Sequence, residues 1–331
     1  MTARPVKIAG LSAFVPPGLL TNADLTKLVD TSDEWILQRT GIRERHIVEK
    51  GVATSDIAKP AALAAIAEAG LTPDDIGLIV FGTTTPDMMF PSTACVLQSK
   101  IGASNAWGFD LGAACSGFVY SLTVGWQMVA SGACNHALVV GADVMSSIID
   151  YKDRSTCVLF GDGAGAVVLS VAGPDEPGLI DFANEIDGNG GEALCMPAGG
   201  SRMPATHETV DQGLHYMKQD GATVFKFAVR KSGEISQRVL AKNGLTGADL
   251  DLYVSHQANR RIIEATAERI GLSPEKVVIN LEHYGNTTAA TIPLALVDAR
   301  KDGRLKKGDL VLLTSVGAGF TVGSVLLRWS L

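Results

Sequence analysis

Residues 106–130 read AWGFDLGAACSGFVYSLTVGWQMVA. Ala106 to Leu111 reads as a strand, and the small residues Gly112, Ala113 and Ala114 permit a sharp turn. Ser116 to Ala130 reads as a long apolar helix stopped by Gly132. A strand that feeds an apolar helix through a tight turn is the repeating unit of a parallel sheet covered by helices.

The alternation continues in both directions. On the N-terminal side, Val6 to Val15 reads as a strand. Asn22 to Asp30 and Ser32 to Thr40 read as short helices with Asn22 and Ser32 as N-caps. Thr54 to Ala69 is an Ala-rich helix, Leu78 to Thr84 a strand, and Pro91 to Ile101 a helix with Pro in its first turn. On the C-terminal side, His136 to Val144 and Ala164 to Val171 are apolar strands. Gly173-Pro174-Asp175-Glu176-Pro177-Gly178 then resists regular structure and marks a junction. After it the order recurs. Ala222 to Ala241 is a helix, Asp251 to Ser255 a strand, Arg260 to Ile270 a helix and Val277 to Ile279 a strand. Thr287 to Lys301 is a helix, and Leu310 to Thr314 and Phe320 to Trp329 are strands. The expectation is an α/β fold of two related halves, 1–173 and 174–331, about a pseudo-twofold axis.

Composition bounds the function. The chain has 331 residues, 46% hydrophobic and 19% charged, with 36 glycines, which is the profile of a folded enzyme with tight turns. A net charge of −7 argues against a nucleic-acid binder. The five cysteines, at 95, 115, 134, 157 and 195, show no metal-ligand spacing and do not suit a disulfide framework. No signal segment or span of ~20 apolar residues is present. A cytoplasmic protein with no membrane and no metal is expected.

In such sheets ligands bind beyond the carboxyl ends of strands. Cys115, His256 and Asn286 all sit at such ends, and aligning the halves puts Cys115 close to the position of Asn286. A cysteine at a helix N-terminus is a candidate nucleophile, because unpaired N–H groups and the dipole favour its thiolate. A neutral His and an Asn supply two N–H donors for a growing negative charge, as on the enolate of a decarboxylating malonyl thioester. The backbone N–H groups of Cys115 and of the turn Gly317-Ala318-Gly319 are candidates for a second oxyanion hole. Taken singly, these signals are weaker. A free cysteine is commonly buried and inert, a lone His after a strand is commonly structural, and Gly-Asn before a helix is ordinary turn chemistry.

Several motifs in order resemble the β-ketoacyl-ACP synthase III family of thiolase-like condensing enzymes, nearly end to end. They are Asp30-Thr31-Ser32-Asp33-Glu34-Trp35-Ile36, Arg39-Thr40-Gly41-Ile42-Arg43-Glu44-Arg45, Ala114-Cys115-Ser116-Gly117 and Phe160-Gly161-Asp162-Gly163-Ala164-Gly165-Ala166. His256-Gln257-Ala258-Asn259, Gly285-Asn286-Thr287 and Gly317-Ala318-Gly319-Phe320-Thr321 complete the set. The resemblance implies a five-layered αβαβα thiolase-like fold, a homodimer and a Cys115–His256–Asn286 triad. The implied acyltransferase moves an acyl group, acetyl or another, from CoA to Cys115 and condenses it with malonyl-ACP. Acyl-CoA is then a substrate, and no cofactor is implied. Related elongating synthases carry two histidines, and thiolases a second cysteine near the C-terminus. Here the third position is Asn286, and no cysteine follows Cys195.

By the same resemblance, Trp35 and Arg154 hold adenine, Arg39 meets CoA phosphates, and Gly221, Phe225 and Asn259 line the pantetheine tunnel. Oxyanion donors are the backbones of Cys115, Ala318 and Gly319. Phe90, across a dimer interface, and Phe160 border the acyl pocket, with Thr85-Pro86-Asp87-Met88-Met89 alongside. Lys226, Arg260 and Arg261 are expected to meet the acidic acyl carrier protein, with Arg230 and Lys231 on the same helix as Lys226. Val322 stands where the family often has Trp. Two rivals remain: a relative priming polyketide synthesis with another starter, and a non-catalytic partner, which would be expected to lose the cysteine. A nucleotide-binding reading of Gly161-Asp162-Gly163-Ala164-Gly165 is weak, because no strand, glycine fingerprint and helix follow in order.

Overall fold

The computed structural model describes residues 3–331. Two sheets stand at its centre. The first runs in the order Val6–Phe14, Gly163–Val171, His136–Asp143, Leu78–Gly82, Trp107–Leu111. Its last three strands are parallel, while Gly163–Val171 runs antiparallel to both neighbours. The second runs Leu252–Ser255, Leu310–Gly317, Thr321–Arg328, Leu179–Ile186. Leu252–Ser255 and Leu310–Gly317 are parallel; the other pairings are antiparallel. Each sheet draws its strands from one half of the chain.

Side-chain alternation builds the layers, since successive residues of a strand face opposite sides. In the first sheet Leu78, Val80, Val139 and Val167 face inward. With Val311, Leu313, Val325 and Leu327 of the second sheet they enclose the helices Gly117–Ser131 and Thr291–Lys301. The intervening residues Ile79, Phe81, Leu138 and Val140 face the helices Thr54–Glu68 and Thr93–Ile101. Tyr253, Leu310, Leu312 and Leu326 face Gly221–Lys242 and Arg260–Arg269. The result is helix, sheet, helix, sheet, helix, the five layers expected. Of the long helices, Gly117–Ser131 in the middle layer is the most apolar, as suits a helix covered by protein on most sides. Gly141 shows how tightly that layer is set: a Cβ there would lie 2.4 Å from the carbonyl oxygen of Ala289.

Several elements differ from expectation. Val277–Ile279 makes only an isolated bridge, Tyr253 to Val277, so the second sheet has four strands to the first sheet's five. Leu179–Ile186 was not expected to be a strand; its exposed and half-buried residues alternate only loosely. It pairs with Thr321–Arg328 as Val6–Phe14 pairs with Gly163–Val171, which completes the repeat. The first short helix covers only Asn22–Leu25 and is capped by Thr21, not Asn22, whose side chain instead bonds Asp33 and the Ile42 carbonyl. Ser32 caps its helix as expected. Pro91 precedes the cap Ser92 and lies outside the first turn of Thr93–Ile101. Thr288–Ala290 forms a 3₁₀ turn, so the last middle-layer helix begins at Thr291.

Candidate active site

The two middle-layer helices enter the site through matching bends. Ala114–Ser116 is a 3₁₀ turn before Gly117–Ser131, and Thr288–Ala290 is one before Thr291–Lys301. Ala114 and Thr288 both have φ of 48°, the only non-glycine residues with positive φ among the described residues. Such backbone is costly and persists where its surroundings enforce it. Element for element, Ala114 matches Thr288 and Cys115 matches Ala289. Asn286 therefore stands three residues ahead of the position equivalent to the cysteine.

Side chains from the second sheet hold the Cys115 bend. Ser315 Oγ donates to the Cys115 carbonyl at 2.8 Å, and Thr321 Oγ1 donates to the Ala113 carbonyl at 2.8 Å. Ser116 Oγ donates to the Thr321 carbonyl at 3.2 Å. The other bend hangs on Asp143, which is fully buried at the end of its strand. Its Oδ1 accepts from the hydroxyls and backbone of the Thr83-Thr84-Thr85 segment, at 2.7 to 3.2 Å. Its Oδ2 accepts from the Thr288 hydroxyl and the Ala289 N–H. One carboxylate thus ties the strand ends of the first half to the bend of the second.

The three sequence candidates meet around one cavity of about 270 Å³, which Cys115, His256 and Asn286 all line. Asn286 is held by a bridge to Phe160: its N–H donates to the Leu159 carbonyl and its carbonyl accepts from Gly161. Its Oδ1 accepts from the Thr288 N–H at 2.9 Å, which leaves Nδ2 free as a donor. His256 N donates to the Thr314 carbonyl, and Nδ1 lies 2.7 Å from Thr291 Oγ1. Nε2 has no hydrogen bond among the described residues.

Burial sets the protonation states. The Cys115 thiol is pushed up to about 12, first by burial and then by the Asp143 carboxylate. A helix N-terminus contributes at most ~2 kcal/mol in favour of a thiolate, whereas full burial shifts a pKa by up to ~3–5 units the other way. Burial therefore outweighs the helix N-terminus and favours a neutral thiol at Cys115 over the expected thiolate. Burial alone pushes His256 down to about 3, so it is a neutral imidazole at pH 7.

Residues 109–188 match the family model described as 3-Oxoacyl-[acyl-carrier-protein (ACP)] synthase III, and residues 240–329 match the model of its C-terminal part. A protein of Koribacter versatilis named Beta-ketoacyl-[acyl-carrier-protein] synthase III is 56% identical over 330 residues, covering 99% of each chain. The chain belongs to the β-ketoacyl-ACP synthase III family. Its fold is similar to the crystal structure of 3-oxoacyl-[acyl-carrier-protein] synthase III from Aquifex aeolicus. The TM-score is 0.90 at 43% identity, covering 98% of this chain and 100% of that one. The priming β-ketosynthase of the R1128 polyketide pathway is also similar, with a TM-score of 0.91 at 33% identity, covering 99% and 98% of the two chains.

The remaining residues inferred from this synthase family fall into three groups. Trp35, Arg39, Gly221, Phe225, Asn259 and Phe160 line the same cavity. The Arg154 guanidinium lies over the Trp35 ring at 5.0 Å and donates to the Asp30 carbonyl. Asn259 caps its helix and donates from Nδ2 to the Arg39 carbonyl, joining two walls of the cavity. From the Gly317-Ala318-Gly319 turn, Gly317 lines the cavity together with Phe320; Ala318 and Gly319 do not.

The Met88–Phe90 segment does not border this chain's own cavity. Asp87 is anchored to Ser55 and Thr85 packs at Asp143, so the tip projects outward, with Phe90 82% exposed. Of the basic residues, Arg230 and Lys231 pair with Glu234, Lys231 also with Glu185, and Arg260 with Glu282. Arg261 lies over Phe225, and Lys226 has no ion pair among the described residues.

The sequence reading missed Asp143, Thr288, Thr291 and Ser315. Asp143 offered a signal, as a lone carboxylate ending the apolar run His136 to Ala142. The hydroxyl residues offered none, because their partners lie far off in the chain. Among the described residues, no group of His, Cys, Asp and Glu is arranged to hold a metal, and no helix is long and apolar enough to cross a membrane.

Proposed function

We propose that this chain initiates acyl-chain synthesis as a β-ketoacyl-ACP synthase III, with Cys115 as nucleophile and His256 and Asn286 serving the malonyl half-reaction. The observation that carries the reading is the single cavity shared by these three side chains and by Trp35, Arg39, Gly221, Phe225 and Asn259.

In the first half-reaction Cys115 Sγ attacks the acyl-CoA carbonyl. The thiol proton passes to His256 Nε2 and then to the departing CoA sulfur, giving acyl-Cys115 and free CoA. In the second, the carboxylate carbon of malonyl-ACP leaves as carbon dioxide, and its electron pair moves into the thioester enolate. Asn286 Nδ2 and His256 Nε2 donate to the enolate oxygen. The enolate carbon attacks the acyl carbonyl, whose developing oxyanion meets the Cys115 N–H. Collapse expels the Cys115 thiolate, which takes a proton, and 3-ketoacyl-ACP is released. The protein needs no cofactor for these steps.

Trp35 and Arg154 would hold adenine, and Arg39 would meet CoA phosphates. Lys226 and Arg261 at the mouth would steer the acidic carrier protein, with Arg260 beside them. The exposed Met88, Met89 and Phe90 and the edge strand Trp107–Leu111 favour a homodimer, in which Phe90 of a second copy would close the acyl pocket. A cytoplasmic location suits these substrates.

The test is carbon dioxide release and product formation from acetyl-CoA plus malonyl-ACP, wild type against Cys115→Ala. Acetoacetyl-ACP from the wild type alone supports the reading. Acylation only by longer or aromatic CoA esters moves the chain to a different starter, and no acylation of Cys115 overturns it. In the same assay Arg261→Ala should raise the KM for malonyl-ACP and flatten its salt dependence; unchanged values would remove Arg261 from the docking site.

A further inference from the structure

The two half-reactions ask opposite things of His256. Acylation needs a bare Nε2, to take the proton from a neutral thiol. Decarboxylation needs an N–H at Nε2, to donate to the enolate oxygen. A neutral imidazole has one N–H, so Nε2 can change role only if Nδ1 changes with it.

Thr291 stands where that change is made. Its Oγ1 lies 2.7 Å from His256 Nδ1 and 3.0 Å from the Thr288 carbonyl, within the middle layer, and all three groups are buried. The hydroxyl has a single hydrogen. If it donates to the Thr288 carbonyl, Oγ1 accepts from Nδ1–H and Nε2 is bare. If it donates to Nδ1, Nε2 carries the proton. Neither arrangement leaves His256 Nδ1 unsatisfied, and no charged group is needed to balance them.

We propose that the Thr291 hydroxyl is a rotor that satisfies either His256 tautomer, presenting Nε2 as base to the Cys115 thiol in acylation and as donor to the enolate in decarboxylation; between the half-reactions, after CoA leaves, Nε2 takes a proton from water and Nδ1 gives one up to water as the hydroxyl turns. Thr291 is a positioning residue here, acting only through His256. The inference rests on the roles given to His256 above.

Thr291→Val keeps the shape and removes the hydroxyl. A buried Nδ1–H facing a methyl group then lacks an acceptor, whereas a bare Nδ1 is tolerated better. The variant should favour the Nε2–H form, keeping the donor and losing the base. CoA release from acetyl-CoA in a single turnover should slow by roughly 10- to 100-fold, the equivalent of one buried N–H left unpaired. Each enzyme is then acetylated to completion, verified by intact mass, and mixed with malonyl-ACP. Carbon dioxide release from the acetylated variant should stay within about threefold of wild type, and Thr291→Ser should restore acylation. Histidine-selective ¹⁵N NMR of the free wild-type enzyme should show Nδ1–H at His256, and of Thr291→Val, Nε2–H.

Equal slowing of both half-reactions, slowing of neither, or an unchanged tautomer in the variant overturns the rotor. Should Thr291→Val not fold, a free wild-type enzyme with Nε2–H overturns it as well. His256→Ala separates the two levels. If that variant runs both half-reactions at the wild-type rate, the roles given to His256 fail; if it is defective while Thr291→Val shows no split, only the rotor fails.

Discussion

A single methyl group at Gly317 should slow acylation of Cys115 by crowding its backbone, leaving the thiol itself unaltered. A Cβ built at this position lies 2.7 Å from the Ala113 carbonyl oxygen and 2.8 Å from the Cys115 nitrogen. It also lies 2.8 Å from Thr321 Oγ1. Ordinary contact begins near 3.4 Å, so two backbone atoms flanking Cys115 must each retreat by about 0.6–0.7 Å. They are not free to do so, since the bend is pinned by Thr321 and Ser315 on one side and by the Ala114 conformation on the other. Overpacking of this kind costs roughly 1–3 kcal/mol. Misplacement of a reacting group by about 1 Å costs around 100-fold in rate. Gly317→Ala should therefore slow single-turnover CoA release from acetyl-CoA by about 30- to 100-fold and lower the melting temperature modestly. Gly200→Ala, where nothing lies within 4 Å, should leave stability and rate unchanged. If Gly317→Ala acylated Cys115 within threefold of wild type, the close approach of the two turns would not be what positions the nucleophile.

Two further predictions concern buried charge. His256 has an ordinary value of 6.5 when unfolded and about 3 when folded, so between these pH values the unfolded chain binds a proton that the folded chain refuses. Stability must fall as pH drops through that window, by up to ~1.4 kcal/mol per pH unit from this residue. Urea midpoints at pH 6.5 and 4.5 should fall further apart for wild type than for His256→Gln; equal spacing would argue against a buried neutral His256. Asp143→Asn should cost about 2–3 kcal/mol, because either amide orientation turns an NH₂ toward a fixed backbone N–H, Thr84 and Thr85 on one side or Ala289 on the other. Removing that carboxylate should also make the Cys115 thiol more acidic, read as a downward shift in the pH profile of iodoacetamide inactivation. No shift would mean that burial alone sets the thiol.

What could be read in the chain and what could not divide along physical lines. The strands Leu78–Gly82, His136–Asp143 and Gly163–Val171 were legible because a fully buried strand is a continuous apolar run. The helices Thr54–Glu68 and Gly117–Ser131 were legible from length, small or apolar faces and a glycine stop. Leu179–Ile186 was not, because an edge strand with one face near solvent has no strong pattern of its own. It becomes a strand by pairing with Thr321–Arg328. The site residues divide in the same way. Cys115, His256 and Asn286 could be nominated because strand ends are local features, and their motifs fixed the family. That they share one cavity followed only from folding.

The sequence by itself determined the layers, the repeat and the three candidate side chains, since periodicity, turn residues and side-chain chemistry are written locally. Only the tertiary structure decided how those side chains behave. The protonation of Cys115 and His256 depends on burial, and burial is created by residues hundreds of positions away. The carboxylate of Asp143 and the bare Cα of Gly317 gain their roles only through contacts across the two halves, and the hydroxyl of Thr291 gains its role through His256, 35 positions away. Such contacts are set by the packing of two sheets on one helical layer, and no local stretch of sequence contains them.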